Sequence, residues 1–396
     1  MPDEPATDTL APYDGVVLLS FGGPEGPDDV MPFLENVTRG RGIPRERLLS
    51  VAEHYHHFGG RSPINDQNRA LLAALRAELD GRGLASVPLH WGNRNWDPYL
   101  VDTVRRAHEA GARRLLAVPT SAYSSYSGCR QYREDMAAAV RALAGEGRAV
   151  ALDRIRHYHN DPGFVVANAD AVVAALDELP GDLGDGARVV FVTHSIPEAM
   201  DSSAGPEGHR YTAQHTDTAA AVAAAVTAAR GARVPWDLVY CSRSGPPAQP
   251  WLEPDVNDHL RRLAADGVRA AVVVPVGFVS DHMEVRYDLD TEAAETAAEV
   301  GLVMVRAATV GTDPRFVAGL VDLCLERAAQ ARGETVRPAT AGGRGPSWSV
   351  CPAGCCPNPR VERAAAAGED WVAPEAAPAA PPEAAREAAT GGATPR

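Results

Sequence analysis

One histidine stands where a parallel sheet places catalytic groups. His194 follows the apolar run 189–192 in the segment FVTHSIPEAM, with Ser195 placed to cap a helix and Pro197 in that helix's first turn. Ligands of open α/β sheets bind beyond the carboxyl ends of the strands, so this side chain can face a cleft. An imidazole there can bind a metal ion or accept a proton near neutral pH. A histidine that only begins a helix, with no chemical task, fits the same pattern.

Three carboxylates follow another apolar run. In VGFVSDHMEVRYDLDTEA, Glu284, Asp288 and Glu292 fall at i, i+4 and i+8, on one face of the helix expected there. Like charges at this spacing destabilise a helix unless a cation or a column of water offsets them. A π-bulge would bring the three groups still closer together. The spacing suits a route for divalent metal ions or protons, and it suits a solvated acidic face equally well.

Three of the six cysteines lie close together near the C-terminus, in CPAGCCPNPR. Cys351, Cys355 and Cys356, together with Cys129, make four thiolates, which is enough for a structural zinc ion or a [2Fe–2S] cluster. Neighbouring side chains must turn toward one centre for Cys355 and Cys356 to act together. An alternative ligand is Cys241, which ends a predicted strand.

Composition limits the partners and the location of the chain. A formal net charge of −14 over 396 residues argues against nucleic acid, which needs a basic face. The N-terminus MPDEPATDTLAPYDG lacks the basic and apolar regions of a signal peptide, and no apolar run approaches the ~20 residues of a membrane span. We therefore expect a cytoplasmic monomer without a membrane span, in a compartment where thiols stay reduced and bind metal rather than form disulfides.

The elements that must position these residues alternate between strands and helices. Amphipathic, often Ala-rich stretches such as 66–81 and 97–111 separate apolar runs, which predicts right-handed βαβ units and buried parallel sheets. Seven runs are typical of strands: 15–23, 86–92, 113–123, 188–195, 237–244, 270–281 and 302–310. Two such series predict an α/β fold of two similar Rossmann-like, doubly wound halves. We predict five regions: a flexible N-terminus at 1–13, an N-terminal domain at 14–165, a C-terminal domain at 166–335, a cysteine-bearing segment at 336–362 and a disordered Ala/Pro-rich tail at 363–396.

Several long motifs resemble those of one known family. LLSFGGPEGPDDV, FLENVTRGRG, HFGGRSPIN, TSAYSSYSGCRQYRED, FVTHSIPEAM, PWLEPDV and VPVGFVSDHMEVRYDLD together are similar to the ferrochelatases, and more narrowly to the actinobacterial type that acts on coproporphyrin III. The resemblance covers roughly residues 14–362. It implies a porphyrin cleft between the two halves. It also implies that Fe²⁺ is inserted into coproporphyrin III in haem biosynthesis, with release of two protons.

The resemblance also implies roles for individual residues. By motif position, His194 corresponds to the active-site histidine and Glu284 to its acidic partner, while Asp288 and Glu292 match an acidic face that leads metal or protons inward. Three residues fall where related enzymes hold the propionates: Arg39, Ser62 and Tyr132. Phe21 stands where Firmicute relatives carry a tyrosine that reaches the metal. Because a phenyl ring cannot bind iron, metal capture is expected to depend on the His194 side.

The resemblance favours a [2Fe–2S] cluster over zinc, because this branch holds such a cluster with one mid-chain and three C-terminal cysteines. Fe²⁺ and coproporphyrin III are then substrates, and transient contacts with the preceding and following haem-pathway enzymes are expected. Alternatives are protoporphyrin IX as substrate, a cobalt or nickel tetrapyrrole chelatase of the same fold, and a non-catalytic tetrapyrrole-binding redox sensor.

Overall fold

Two four-stranded parallel sheets form the framework of the protein, whose computed structural model describes residues 9–246 and 248–376. The first sheet has the order β2-β1-β3-β4 and the second the equivalent order β6-β5-β7-β8. The strands are β1 Gly15–Ser20, β2 Leu89–Asn93, β3 Arg114–Pro119, β4 Ala151–Arg154, β5 Arg188–His194, β6 Trp236–Cys241, β7 Ala270–Val274 and β8 Val303–Arg306. The predicted fold class, with two similar doubly wound halves, is confirmed.

The sequence pattern missed only β4 among these strands. This strand lies at the edge of its sheet, pairs with β3 alone and includes the polar residues Asp153 and Arg154. It therefore lacks the apolar run that is typical of a central strand. The central strands β1 and β7 are, by contrast, buried along their whole length, as expected for parallel strands covered by helices on both faces.

Eleven α-helices surround the sheets within the described part of the chain. They are α1 Val30–Val37, α2 Arg45–His57, α3 Ile64–Gly81, α4 Leu100–Glu109, α5 Gln131–Gly145, α6 Pro162–Glu178, α7 Glu198–Ser202, α8 Arg210–Arg230, α9 Val256–Ala265, α10 Ala294–Glu299 and α11 Pro314–Ala331. Two π-helical segments, Tyr126–Arg130 and Val285–Ala293, run directly into α5 and α10. Side chains of Asp161, Asp255 and Asp313 accept backbone N–H groups at the starts of α6, α9 and α11 and so cap them.

The two halves share buried surface. Helix α11 packs against both α3 and α6, and Leu71, Leu75, Phe316 and Leu320 belong to one apolar cluster. The predicted division between residues 165 and 166 falls inside α6, so the chain leaves the first sheet as a helix rather than as a flexible linker. Among the described helices, none is long and apolar enough to cross a membrane.

Ordered packing extends beyond both predicted terminal limits. Leu10 and Tyr13 are buried, and Tyr13 Oη donates to Asp153 Oδ2 at 2.8 Å, so residues 9–13 are not a free arm. Residues 365–367 are buried as well, and Ala366 N donates to Arg133 O at 2.9 Å. Residues 9–13 and the start of the tail are thus packed against the body of the protein, where flexibility and disorder were predicted, because Leu10, Tyr13 and the alanines at 365–367 find a partner surface. The rest of both predictions, residues 1–8 and 377–396, lies outside the described residues.

Candidate active site

His194 and Glu284 meet at the carboxyl end of the second sheet. His194 is the last residue of β5, and its Nε2 lies 3.5 Å from Oε1 of Glu284. Glu284 is brought there by the loop that follows β7. Gly277 of this loop donates its N–H to Val192 O, and a Cβ at Gly277 would lie 2.1 Å from Thr193 Oγ1. Only glycine therefore allows the loop to press against β5 and carry Glu284 to the histidine.

The backbone around His194 is held from the protein interior. Tyr211 Oη donates to His194 O at 2.7 Å, and Ser195 N donates to Cys241 O at 2.7 Å. His194 Nδ1 donates to the carbonyl oxygen of Ser195. Because Nδ1 is occupied by this bond, Nε2 is the nitrogen that faces Glu284 and the surrounding cleft. The side chains of His194 and Glu284 remain 31% and 49% exposed, so the pair is accessible to a ligand.

The two groups shift each other's pKa in opposite directions. Burial lowers the pKa of His194, but the Glu284 carboxylate outweighs burial and raises this pKa to about 9. Burial raises the pKa of Glu284, but the His194 charge and hydrogen bond outweigh it and bring the pKa to about 2. In the ligand-free protein at neutral pH the pair is thus an imidazolium next to a carboxylate. Its proton must leave before the imidazole can accept another.

The acidic residues after Glu284 lie on a π-helical segment, Val285–Ala293. This segment provides the π-bulge that was considered for the sequence as a way to bring the three carboxylates closer together. Ser242 Oγ donates to Asp288 Oδ2. Burial raises the pKa of Asp288 to about 7, and the neighbouring charges of Glu284 and Glu292 add to this effect. Glu292 is exposed, and its pKa is raised by partial burial and by Asp255 and Glu295. The carboxylates therefore differ in proton affinity along the segment.

His282 was missed by the sequence patterns, although it stands in the same motif. Its Nδ1 lies 3.7 Å from Glu284 Oε2 and accepts the Glu284 N–H at 3.1 Å. Its ring meets Phe278 edge to face at 4.9 Å between centroids. From the opposite side, His54 of α2 stacks on Tyr287 at 3.7 Å between centroids. Helix α2 of the first half therefore contacts the acidic segment of the second half through His54.

The residues predicted to hold propionates are in different environments. Arg39 is exposed on the loop after α1, whereas Ser62 and Tyr132 are buried. Tyr132 lies under the guanidinium of Arg94, 4.4 Å from the ring centroid, and the same guanidinium lies 5.8 Å from the ring of Phe21. Phe21, directly after β1, is 36% exposed. Arg94 was not singled out in the sequence, although it directly follows β2 and thus lies at the carboxyl edge of the first sheet.

Two cavities of the described structure lie away from all these residues. One, of about 660 Å³, is lined largely by α11 and the start of α6, and includes Arg156, Asp161 and Glu326. The other, of about 420 Å³, lies along α6 and α8. Neither is lined by a predicted site residue, so the candidate active site depends on the geometry of His194 and Glu284 and not on these cavities.

The four predicted thiols converge in the protein interior, within the apolar cluster that also contains Ile196 and Tyr211. Cys129, in the π-helical segment before α5, and the three C-terminal cysteines are all buried, and the thiol of Cys351 interacts with those of Cys129 and Cys355. The sulfur atoms of Cys355 and Cys356 lie 3.7 Å apart. Cys356 has a φ of 51°, and this left-handed backbone turns two neighbouring side chains toward one centre. Cys241 belongs to another apolar cluster, beside Ser242 and Asp288, and is not part of this group.

Three buried arginines surround the thiols. Arg154 Nη2 donates to Cys351 Sγ at 3.0 Å, and Gly205 N donates to Cys356 Sγ at 3.1 Å. Within the described residues, buried N–H groups of these arginines lack any hydrogen-bond partner: Arg130 Nε, Arg133 Nη1, Arg133 Nη2 and Arg154 Nε. Carboxylates approach Arg130 and Arg133 only to 3.8 to 3.9 Å, and among the described residues none forms an ion pair with Arg154. Buried N–H groups of a cation without a hydrogen-bond partner are costly, so an anionic group among the thiols fits this environment.

Over residues 9–246 and 248–376, no three His, Cys, Asp or Glu side chains are arranged to hold a single metal ion. The thiol group is therefore recognised by its convergence and its cationic surroundings and not by preformed coordination.

Comparison with known proteins extends these observations. The sequence model of the family described as Ferrochelatase matches residues 13–328. The coproporphyrin III ferrochelatase of Streptomyces griseus is 57% identical over 366 residues, covering 91% of this chain and 97% of that protein. The coproporphyrin III ferrochelatase of Leifsonia xyli is 51% identical, covering 90% of this chain and 94% of that protein. A protein of Rhodopirellula baltica named ferrochelatase is 49% identical, covering 88% and 94%. The family match includes His194 and Glu284 but ends before the three C-terminal cysteines.

Proposed function

The chain belongs to the ferrochelatase family, and on this premise we propose that it inserts Fe²⁺ into coproporphyrin III with His194 and Glu284 as its catalytic groups. The observation that carries the proposal is the 3.5 Å approach of His194 Nε2 to Glu284 Oε1 at the carboxyl end of β5. The names of the relatives from Streptomyces griseus and Leifsonia xyli support coproporphyrin III as the tetrapyrrole. The product is the iron coproporphyrin of haem biosynthesis.

The proposed reaction is an exchange of one metal ion for two protons. The porphyrin loses two pyrrole N–H protons, Fe²⁺ takes their place on the four nitrogens, and no oxidation state changes. Neutral His194 accepts a pyrrole proton at Nε2, and the adjacent Glu284 carboxylate stabilises the imidazolium that forms. This stabilisation is supported by the raised pKa of His194, about 9, in the ligand-free protein.

The released protons must reach the solvent, and we propose that the acidic segment Val285–Ala293 conducts them there. Asp288, with a pKa of about 7, can take up and release a proton near neutral pH, and Glu292 stands beyond it at the surface. The same carboxylates suit the approach of hydrated Fe²⁺, because carboxylate oxygen is an ordinary ligand for divalent ions. We thus propose that Asp288 and Glu292 form the path for protons and metal ions. The inner end of this path is the pair His194 and Glu284.

For binding of the tetrapyrrole we propose contacts from the first half. The exposed Arg39 guanidinium is available for a propionate carboxylate. Phe21, exposed at the end of β1, offers an apolar face to the macrocycle. Tyr132 and Ser62 are buried, so they act from beneath the binding surface, where Tyr132 supports Arg94 and Arg94 supports the ring of Phe21. Because Phe21 has no metal-binding atom, the metal is proposed to depend on the His194 side.

We further propose that Cys129, Cys351, Cys355 and Cys356 hold a [2Fe–2S] cluster. Support comes from four converging buried thiols and from the buried guanidinium N–H groups that lack partners among the described residues. Four thiolates around two ferric ions and two sulfides leave a net negative charge, which these cations would balance. When bound, the cluster supplies a one-electron redox couple. Structural zinc is the alternative, and visible absorbance of protein purified without oxygen separates the two, because a zinc protein is colourless.

A cytoplasmic location, a monomeric state and transient contacts with the enzymes before and after this step complete the proposal. The formal charge of −14 supports a protein without a nucleic-acid partner.

The proposal is tested by an anaerobic insertion assay with Fe²⁺, Co²⁺ or Zn²⁺ against coproporphyrin III and protoporphyrin IX. We expect iron insertion into coproporphyrin III with the highest kcat/KM. His194→Ala should lower kcat by ~10²–10⁴-fold, whereas His108→Ala, at the end of α4, should leave it unchanged. Equal activity of His194→Ala and wild type would remove the catalytic assignment. A preference for protoporphyrin IX or for cobalt would replace the substrate or the metal in the proposal.

A further inference from the structure

One short segment touches both the thiol group and the active-site histidine. It runs from Gly205, in the connection between α7 and α8, to Tyr211 in the first turn of α8. At one end, Gly205 N donates to Cys356 Sγ at 3.1 Å. At the other end, Tyr211 Oη donates to His194 O at 2.7 Å. The two sites are thus each one hydrogen bond away from the same seven residues.

The segment is packed tightly against itself. Gly205 has a φ of 77°, and a Cβ there would lie 2.7 Å from Cδ of Arg210. Arg210 N also donates to Ala204 O at 3.0 Å, and the Arg210 guanidinium lies 4.1 Å from the ring centroid of Trp348, which lies shortly before Cys351 in the chain. Ala204, Arg210 and Tyr211 are all buried. A displacement at Gly205 therefore shifts Arg210 and Tyr211 with it, because close-packed interiors transmit movement rather than absorb it.

The histidine end of the segment is equally constrained. Tyr211 Oη lies 2.9 Å from Thr193 Oγ1, which lies 2.9 Å from His215 Nε2. Tyr211 therefore contacts the last two residues of β5 at once. The carbonyl it holds belongs to the peptide that joins His194 to Ser195, and Ser195 O in turn accepts the bond from His194 Nδ1. Movement of Tyr211 changes the orientation of the imidazole relative to Glu284.

We propose that residues 205–211 couple the thiol group to the active site, with Tyr211 as the positioning residue for His194. A group bound by the thiols shifts Gly205 and thereby the imidazole of His194. The coupling must be reciprocal, because two sites that influence each other share a single interaction free energy. The kinetic part of the proposal rests on the proposed function, whereas its structural part does not.

The kinetic test is a double-mutant cycle on metal insertion into coproporphyrin III. Cys356→Ala removes the acceptor at one end, and Tyr211→Phe removes the donor at the other while it keeps the ring. Each should lower kcat about fivefold or more with little change in KM for coproporphyrin III. The double variant should be no slower than the slower single variant. If the two losses multiply instead, the ends act independently and the coupling is refuted.

Matched controls separate coupling from general damage. Cys324→Ala removes a buried thiol in α11, outside the thiol group. Tyr158→Phe removes a buried hydroxyl that also donates to a backbone carbonyl, Pro119 O, at 2.9 Å. Both should leave kcat near the wild-type value. If they lower kcat as much as the test variants do, loss of packing explains the result and the proposal fails.

A second measurement does not depend on catalysis. The exchange rate of the Gly205 amide reports the thiol end directly, because this N–H is bonded to Cys356 Sγ. Tyr211→Phe should speed its exchange about fivefold or more, and Tyr158→Phe should not. Addition of coproporphyrin III to the wild type should also change this rate. Equal exchange in all three proteins refutes the coupling. A wild type that inserts no metal but shows the exchange effect refutes only the proposed function.

Discussion

His194 Nε2 lies 3.5 Å from Glu284 Oε1, and this contact raises the pKa of the imidazole to about 9 while it lowers that of the carboxyl to about 2. The resting pair therefore holds a proton that must be released before His194 can act as a base. The geometry thus connects the pH dependence of the reaction to a single pair of side chains. The direction of the two pKa shifts determines whether activity rises or falls with pH.

Glu284→Gln should move the pH profile of metal insertion toward acid. In the wild type, kcat/KM should rise with pH until His194 has lost its proton, near its pKa of about 9. Without the carboxylate, the main influence that raises the pKa of His194 is gone while burial still lowers it, so this pKa should fall below about 9. The maximum rate should also fall by ~10²-fold, because the imidazolium loses its stabilising charge. The profile with Zn²⁺ and coproporphyrin III, together with an NMR titration of His194, measures both effects. An unmoved alkaline limb would contradict the assigned base.

The same pair sets a pH window of stability. The raised pKa of His194 stabilises the folded state fully below 6.5, and this contribution is lost as the pH rises through about 9. The lowered pKa of Glu284 stabilises the folded state above 4.5, and this is lost as the pH falls through about 2. Thermal unfolding of wild type and His194→Gln should therefore differ most between pH 4.5 and 6.5 and converge near pH 9. A difference that grows toward pH 9 would have the wrong sign.

Asp288→Asn should lower the rate of metal insertion and, at the same time, raise the free energy of unfolding. The raised pKa of Asp288, about 7, means that ionisation of this buried carboxyl costs stability as the pH rises from 3.8 to about 7. The amide carries no charge, so the free energy of unfolding should be higher in the variant above pH 7. Loss of the proton acceptor should lower kcat by ~10-fold or more. Denaturant unfolding at pH 8 and steady-state kinetics measure the two effects, and a variant that is less stable at pH 8 would overturn the explanation of the raised pKa.

Gly277→Ala should destabilise the protein and lower its activity. A Cβ at this position would lie 2.1 Å from Thr193 Oγ1, so the loop that carries Glu284 must move away from β5. Overpacking of this kind costs ~1–3 kcal/mol. Gly81→Ala is the matched control, since a Cβ at the end of α3 meets nothing within 4 Å. Thermal unfolding should separate the two variants, and a neutral Gly277→Ala would show that the loop does not need this close approach.

Truncation after residue 362 should expose the thiols. Cys351 N donates to Ala367 O at 3.0 Å, and Glu369 N donates to Cys351 O at 3.0 Å, so residues 363–371 cover the cysteine segment. Without this cover, metal-free protein should react with a thiol reagent about tenfold faster or more. Truncation after residue 376 keeps the cover and serves as control. Equal thiol reaction rates for both truncations would show that the cover is not needed.

Local sequence patterns were sufficient to predict the fold and the place of His194 and Glu284 in it. Apolar runs such as 189–192 mark buried strands whatever surrounds them, and a residue directly after such a run must lie at the carboxyl edge of a sheet. This is why His194 and the region of Glu284 could be named without coordinates. The short edge strand β4 carries too few apolar residues to be recognised in the same way.

Tertiary structure alone decided how distant residues meet. The left-handed backbone at Cys356, the buried arginines around the thiols and the contacts of residues 363–371 depend on chain segments that are far apart in sequence. The same holds for the burial of Ser62 and Tyr132 and for the bonds from Gly205 and Tyr211 to the two sites. Periodicity reports which face of an element is apolar, and the distance between two elements follows only from how those faces pack in three dimensions.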